Sequence, residues 1–160
     1  MHTNSAASGL TAQRWLAFHL AGQMYAAPLD QVSEVIRDGA LTPVPGSASD
    51  LLGIRHLRGR IVPVMDGCRR LGLQPRTPAD PAHVRIVVLT HAGHQVGLRV
   101  DAVGDLLVPE RPDSIAPPPS GWMPRSDDPV EGVLPWQGGF VALLDVRRLC
   151  RLPQDAQHVA

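Results

Sequence analysis

GIRHLRGRIVPVMD, residues Gly53 to Asp66, lies without a gap on GVLPWQGGFVALLD, residues Gly132 to Asp145, at a constant offset of 79 positions (132 − 53). Both stretches start on glycine, carry glycine near the middle and end on aspartate. Two apolar runs split by a glycine turn are the pattern of a β-hairpin. A second block recurs ahead of each. LDQVSEVI (Leu29 to Ile36) matches VDAVGDLL (Val100 to Leu107) at an offset of 71 (101 − 30), which pairs Asp30 with Asp101, Val32 with Val103 and Glu34 with Asp105. Two blocks recurring in the same order mark an internal duplication. The offsets differ by 8 (79 − 71), so the second copy carries the longer link between its blocks. Glu110 to Pro129 is that link; Pro117-Pro118-Pro119 and Asp127-Asp128 make it extended and solvated.

Two further hairpins flank these blocks. In WLAFHLAGQMYAAPL (Trp15 to Leu29) alternation sets Leu16, Phe18 and Leu20 on one face, with a turn at Gly22-Gln23. VRIVVLTHAGHQVGLRVDAV (Val84 to Val103) turns at Ala92-Gly93, and the last hairpin at Gly138-Gly139. Pro63 places its strand near an edge or a bulge. Helices are brief: Ala48 to Leu52, Asp66 to Leu71, and the VRRLCRL tail. With aromatics at only 4%, packing rests on Val, Leu, Ile and Ala, a mix that favours strands. The expectation is an all-β chain of two similar subdomains, split near Gln74 to Ala82.

Fifteen basic residues, all arginine, balance fifteen acidic ones, which leaves no net field for nucleic acid or anionic lipid. No apolar run approaches the roughly 20 residues of a membrane span. Cys68 and Cys150 form no CxxC pair and no apolar signal segment is evident, so a reducing cytoplasm is the expected home. His91-x-x-His94 could offer two ligands to a metal, but no third lies near, and turn residues are the plainer reading. The two cysteines have no histidine or asparagine at a recognisable spacing and read as buried thiols. There is no G-x-S-x-G elbow and no phosphate-cradling glycine loop. Asp30, Asp66, Asp101 and Asp145 read as turn or cap residues. Nothing here argues for catalysis, a cofactor or a metal.

The ordered set Val32, Glu34, Leu57, Arg58, Gly59, Pro63, Asp66, Val96, Gly97, Val100, Asp101 and Val103 resembles the CheW-like family, whose pattern runs V-x-E-hydrophobic, then N-L-R-G-x-hydrophobic-x-P-hydrophobic-hydrophobic-D, then V-G-hydrophobic-x-V-D-x-V. The likeness extends from about Trp15 to Leu152. His56 stands where the family usually has Asn, and Gly67 where it usually has Leu, which would loosen a helix start. The resemblance implies two SH3-like five-stranded β-barrels around a shared core. Subdomain 1 would cover about 14–76 and subdomain 2 about 83–145, followed by a helix over about 145–152 within a single domain of 14–152. Residues 1–13 and 153–160 would be flexible tails.

The resemblance also implies a non-enzymatic adaptor between the cytoplasmic tips of methyl-accepting chemoreceptors and the CheW-like regulatory domain of a CheA-type histidine kinase. Such an adaptor would be recruited to membrane receptor arrays through these partners. A variant pilus-linked or accessory pathway is the alternative, ahead of a ligand-sensing β-module or a small enzyme. The implied partner surface holds Arg58, Glu34, Val32, Val35 and Ile36, with Ile54, Leu57, Val87 and Leu98 either lining a groove or serving as core. Arg58, beside Gly59 in a turn, could reach a partner carboxylate or carbonyl, or could brace Glu34 internally.

Overall fold

The computed structural model describes residues 13–74, 77–118 and 128–151. In chain order the elements are β1 (Trp15–Leu20), β2 (Gln23–Pro28), β3 (Val32–Arg37), β4 (Leu51–Leu57), β5 (Arg60–Asp66), α1 (Gly67–Arg70), β6 (Arg85–His91), β7 (His94–Val100), β8 (Ala102–Leu107), β9 (Val130–Trp136), β10 (Gly139–Leu144) and α2 (Val146–Leu149). The strands form two five-stranded sheets, barrel I in the order β8-β1-β2-β10-β9 and barrel II in the order β3-β6-β7-β5-β4. The all-β class with two five-stranded units and short helices is therefore as the sequence implied.

The composition of the barrels differs from the expected halves. Barrel I places β1 and β2, from the first repeat, between β8 and β10 of the second; barrel II places β6 and β7 between β3 and β5. Each repeat thus gives its leading hairpin to the other's sheet, joined by the parallel pairs β2–β10 and β5–β7. The division at 14–76 and 83–145 follows the repeats but not the sheets. Burial supplies the reason. Being central in their sheets, the exchanged hairpins are covered on both faces. Trp15 and Ala17 point into barrel I, while Leu16, Phe18 and Leu20 point into a core shared between the barrels. On β6, Ile86 and Val88 fill barrel II, and Val87 and Leu89 enter the same shared core. Fully burying one such side chain contributes about 1.5–3 kcal/mol, so the shared core binds the two sheets into one unit.

Repeat equivalence holds at the level of backbone irregularities. All four hairpins turn through two residues with positive φ: Ala21-Gly22, Arg58-Gly59, Ala92-Gly93 and Gln137-Gly138. This is the type I′ turn, whose twist suits paired strands and whose second position glycine fills without strain. Two turns accordingly start one residue earlier than expected, because glycine takes the second position rather than the first. The register shift between Val32 and Glu34 on β3 matches that between Leu16 and Phe18 opposite β8, and the shift at Leu51 and Gly53 matches the one at Leu143 and Leu144. Pro63 lies on a strand flanked on both sides, but β5 pairs with β7 only from Val64 onward, which spares its missing N–H.

Asp66 and Asp145 cap the two short helices, accepting hydrogen bonds from the Cys68 N–H at 3.0 Å and the Arg147 N–H at 2.9 Å. Gly67 does more than loosen a helix start: a Cβ there would sit 2.6 Å from the Arg99 carbonyl oxygen and 2.9 Å from the Leu20 methyls. Its bareness lets α1 close against β7. Residues 48–50 form turns, not the expected helix, and β4 starts at Leu51. The helix expected over 145–152 is formed from Val146 to Leu149. Residues 1–12 and 152–160, most of the two expected tails, lie outside the described residues.

Candidate functional site: the Arg58 turn of barrel II

β3 and β4 are the two edges of their sheet, and the sheet curls until they meet. Arg55 on β4 donates to the Arg37 carbonyl at 3.0 Å, and Thr42 bridges Ile54 beside it. At the tip of the β4–β5 turn Arg58 extends the closure. Its Nε donates to Glu34 Oε2 at 3.1 Å and its Nη2 to Oε1 at 3.4 Å. The two-point contact orients the guanidinium plane. Hydrogen bonding to Glu34, followed by the carboxylate's charge, raises the Arg58 pKa above its ordinary value, so the group is a permanent cation.

Bracing and accessibility coexist at this residue. The Arg58 side chain is 77% exposed and that of Glu34 25%. A guanidinium has five N–H donors, and the brace uses two of them. The remainder point at solvent, held in place, from a turn whose φ of 52° at Arg58 is uncommon for a side-chain-bearing residue. An arrangement of this kind can take a second carboxylate or carbonyl with little further loss of side-chain entropy.

The other residues of the expected surface separate into three groups. Val32, Glu34 and Ile36 are half-buried, and the register shift between Val32 and Glu34 breaks the alternation, so that Val32 packs on the shared core and Ile36, with Leu57, on the interior of barrel II. Val35 is exposed, and Ile54 is half-buried. Val87 and Leu98 correct the groove reading, since both are fully buried in the shared core, paired across β6 and β7 and beyond a partner's reach. Ile61 was missed. It is 61% exposed three residues beyond Arg58. The signal was present, because alternation from the buried Val62 and Val64 turns Ile61 outward.

Among the described residues no three His, Cys, Asp or Glu side chains converge as metal ligands, and no helix is long and apolar enough to cross a membrane. His91 and His94 pair across the β6–β7 hairpin. Cys68 is buried, and burial pushes the Cys150 thiol up to about 12. Burial thus keeps Cys150 a thiol rather than a nucleophilic thiolate.

The family model for the CheW-like domain matches residues 14–122, which include the Arg58 turn and β3. The chain belongs to the CheW-like family. Protein PilI of Pseudomonas aeruginosa is 34% identical over 106 residues, covering 61% of this chain and 57% of PilI. The chain thus spans little more than half the length of that relative. The chemotaxis protein CheW of Rhizobium meliloti is 31% identical over 131 residues, covering 82% of this chain and 83% of its own. Among solved structures, the scaffolding protein TtCheW of Thermoanaerobacter tengcongensis superposes with a TM-score of 0.77 at 28% identity, over 88% of this chain and 94% of that one. A CheW-like frame is therefore the setting in which Arg58 and Glu34 operate.

Proposed function

We propose that this chain is a non-enzymatic adaptor that couples methyl-accepting chemoreceptors to a CheA-type histidine kinase, working in the cytoplasm and recruited to membrane arrays through those partners. The observation that carries the reading is the Arg58 guanidinium, exposed at the tip of a rigid turn and aimed by Glu34 on a CheW-like frame. A coupling protein needs recognition groups that are ordered before the partner arrives, because ordering a long side chain on binding lowers affinity. Arg58 and Val35 supply the exposed part of that surface; Glu34 positions Arg58; Val32, Ile36, Ile54 and Leu57 support the strands beneath.

Reconstitution with receptor and kinase tests the role. Arg58→Ala is expected to keep its melting temperature within a few degrees, as exposed changes do, and to weaken partner binding by about tenfold or more, the usual result of removing one partner of an interfacial charge pair. Glu34→Ala is expected to lose part of the same affinity, with the double variant no worse than Arg58→Ala, since both act through one group. A folded Arg58→Ala protein with undiminished affinity for both partners would place the coupling surface elsewhere.

The likeness to PilI favours a second reading, in which the same adaptor chemistry serves a pilus-linked or accessory chemosensory pathway. His56 beside the turn fits a partner different from the usual one. Identifying the kinase and receptor recovered with the tagged chain from its own cell separates the two readings.

A further inference from the structure

A cleft of about 730 Å³ opens between the start of β5, the β6–β7 turn and the end of α2. Arg60 enters it from β5, His91 and His94 from the hairpin, and Arg147 and Arg151 from α2 and the residue that follows the helical turn. Among the described residues no Asp or Glu lines it. Among the described residues Arg60, Arg147 and Arg151 make no side-chain ion pair, whereas Arg58, Arg69, Arg99, Arg111 and Arg148 each do. In a chain of zero net charge, three unneutralised guanidinium groups around one cleft are a local concentration of positive charge.

The floor is apolar. The exposed Ile61, with Pro63 and Val96, lines it between the cations. Cys150 also lines it, and because burial raises its thiol to about 12 it adds no negative charge at neutral pH. The cleft faces the carbonyl end of α2, where Arg70 from α1 occupies the Leu149 oxygen at 2.9 Å and also reaches those of Arg148 and Arg151. That end offers no cradle of backbone N–H groups, so it suits a compact phosphate poorly. Carboxylates spaced along a peptide, with an apolar side chain between them, match cations that arrive from separate elements around an isoleucine.

We propose that this cleft docks an acidic segment of a partner protein, anchored by an apolar side chain on Ile61. Arg60 and Ile61 follow Arg58 in the same hairpin, so the cleft continues the Arg58 surface. From the coupling reading the proposal takes only that the partner is a protein.

The test uses the full chain and three fluorescein-labelled probes, a peptide of alternating Glu and Leu and its Gln and Lys counterparts, read by anisotropy. The Glu peptide is expected to bind, to weaken as salt rises, and to lose about tenfold or more in affinity in Arg60→Gln/Arg147→Gln/Arg151→Gln. Arg111→Gln, an exposed cation that pairs with Asp113 and does not line the cleft, is expected to change it by no more than about twofold. Should the triple variant fail to fold, Arg147→Gln alone, expected to lose about threefold, and Ile61→Ser give the same reading. Equal binding of the Gln peptide, no binding of the Glu peptide, an undiminished triple variant, or displacement by millimolar inorganic phosphate would each overturn the proposal. Binding of the Glu peptide by a chain that fails to couple receptor to kinase would sink the coupling reading and uphold the cleft.

Discussion

Arg58 in barrel II and Gln137 in barrel I stand at the same place, the first residue of a type I′ turn, with φ of 52° and 48°. Glu34 on β3 corresponds to Asp105 on β8, yet among the described residues only the first of these pairs is an ion pair. Elsewhere the two barrels agree closely: the same register shifts, the same helix caps, the same exchanged hairpins. They also expose the same apolar positions, Val35 with Leu106 and Ile61 with Phe140. Exposure at those sites is thus a property of the frame. The charge at Arg58 is not, because the backbone forms equally well without it, and a feature the fold does not require is where recognition is best sought.

The largest test concerns what the barrels share. Phe18 and Leu89 are repeat equivalents, both fully buried in the common core. Replacing either by Ala should cost about 3–5 and 2–5 kcal/mol respectively, a large part of a typical domain's stability. Each variant should unfold in one transition by circular dichroism and tryptophan fluorescence. Two separated transitions would break the comparison by showing that each barrel melts alone.

A smaller effect separates the barrels chemically. Tyr25 in barrel I occupies the position of Val96 in barrel II, and its pKa is pushed up to about 12, first by burial and then by Cys68 and Asp128. The native state therefore holds a proton that the unfolded chain releases near 10.0. That contribution is intact below pH 10 and lost as pH rises toward 12, a change of about 2–3 kcal/mol. Cys150 acts in the same direction from 9.0 upward. Denaturant midpoints measured across this window should fall, and Tyr25→Phe should flatten the fall. An unchanged slope in Tyr25→Phe would mean that the phenol titrates as freely in the native state as in the unfolded one.

The smallest effect sharpens the contrast at the turns. Asp105→Glu with Gln137→Arg recreates in barrel I the residues that form the pair in barrel II. An exposed pair of this kind should add less than about 1 kcal/mol, a rise of a few degrees at most in melting temperature. Partner affinity should stay as it was. Enhanced coupling from the grafted pair would show that barrel I can serve as the recognition face.

What could be read from the sequence was local. Glycine-marked turns, the aspartate caps and the alternation of β1 and β6 all depend on neighbours a few residues away. The exchange of hairpins was hidden because no periodicity states which sheet a hairpin will join. That depends on β2 meeting β10 and β7 meeting β5, parallel contacts between distant segments. The nearest hint was WLAFHL, whose apolar residues on both faces mark a strand covered on both sides. The same double coverage obscured Val87 and Leu98, where apolar character cannot tell a groove from a core. At Arg58 the brace to Glu34 is formed while the guanidinium remains exposed, so bracing does not take the group out of solvent.

The exchanged hairpins also bear on how the chain acquires its shape. β2 must wait for β10, pairing Tyr25 with Ala142 across a separation of 117 residues (142 − 25). During synthesis the first hairpin therefore emerges long before the strands that flank it in its sheet, and β3 to β5 likewise await β6 and β7. Contacts this remote along the chain slow folding, because the loop entropy is spent before the pairing energy is recovered. Until β10 arrives, β2 presents an open edge beside an uncovered apolar face, the kind of surface on which a nascent chain aggregates or recruits a chaperone.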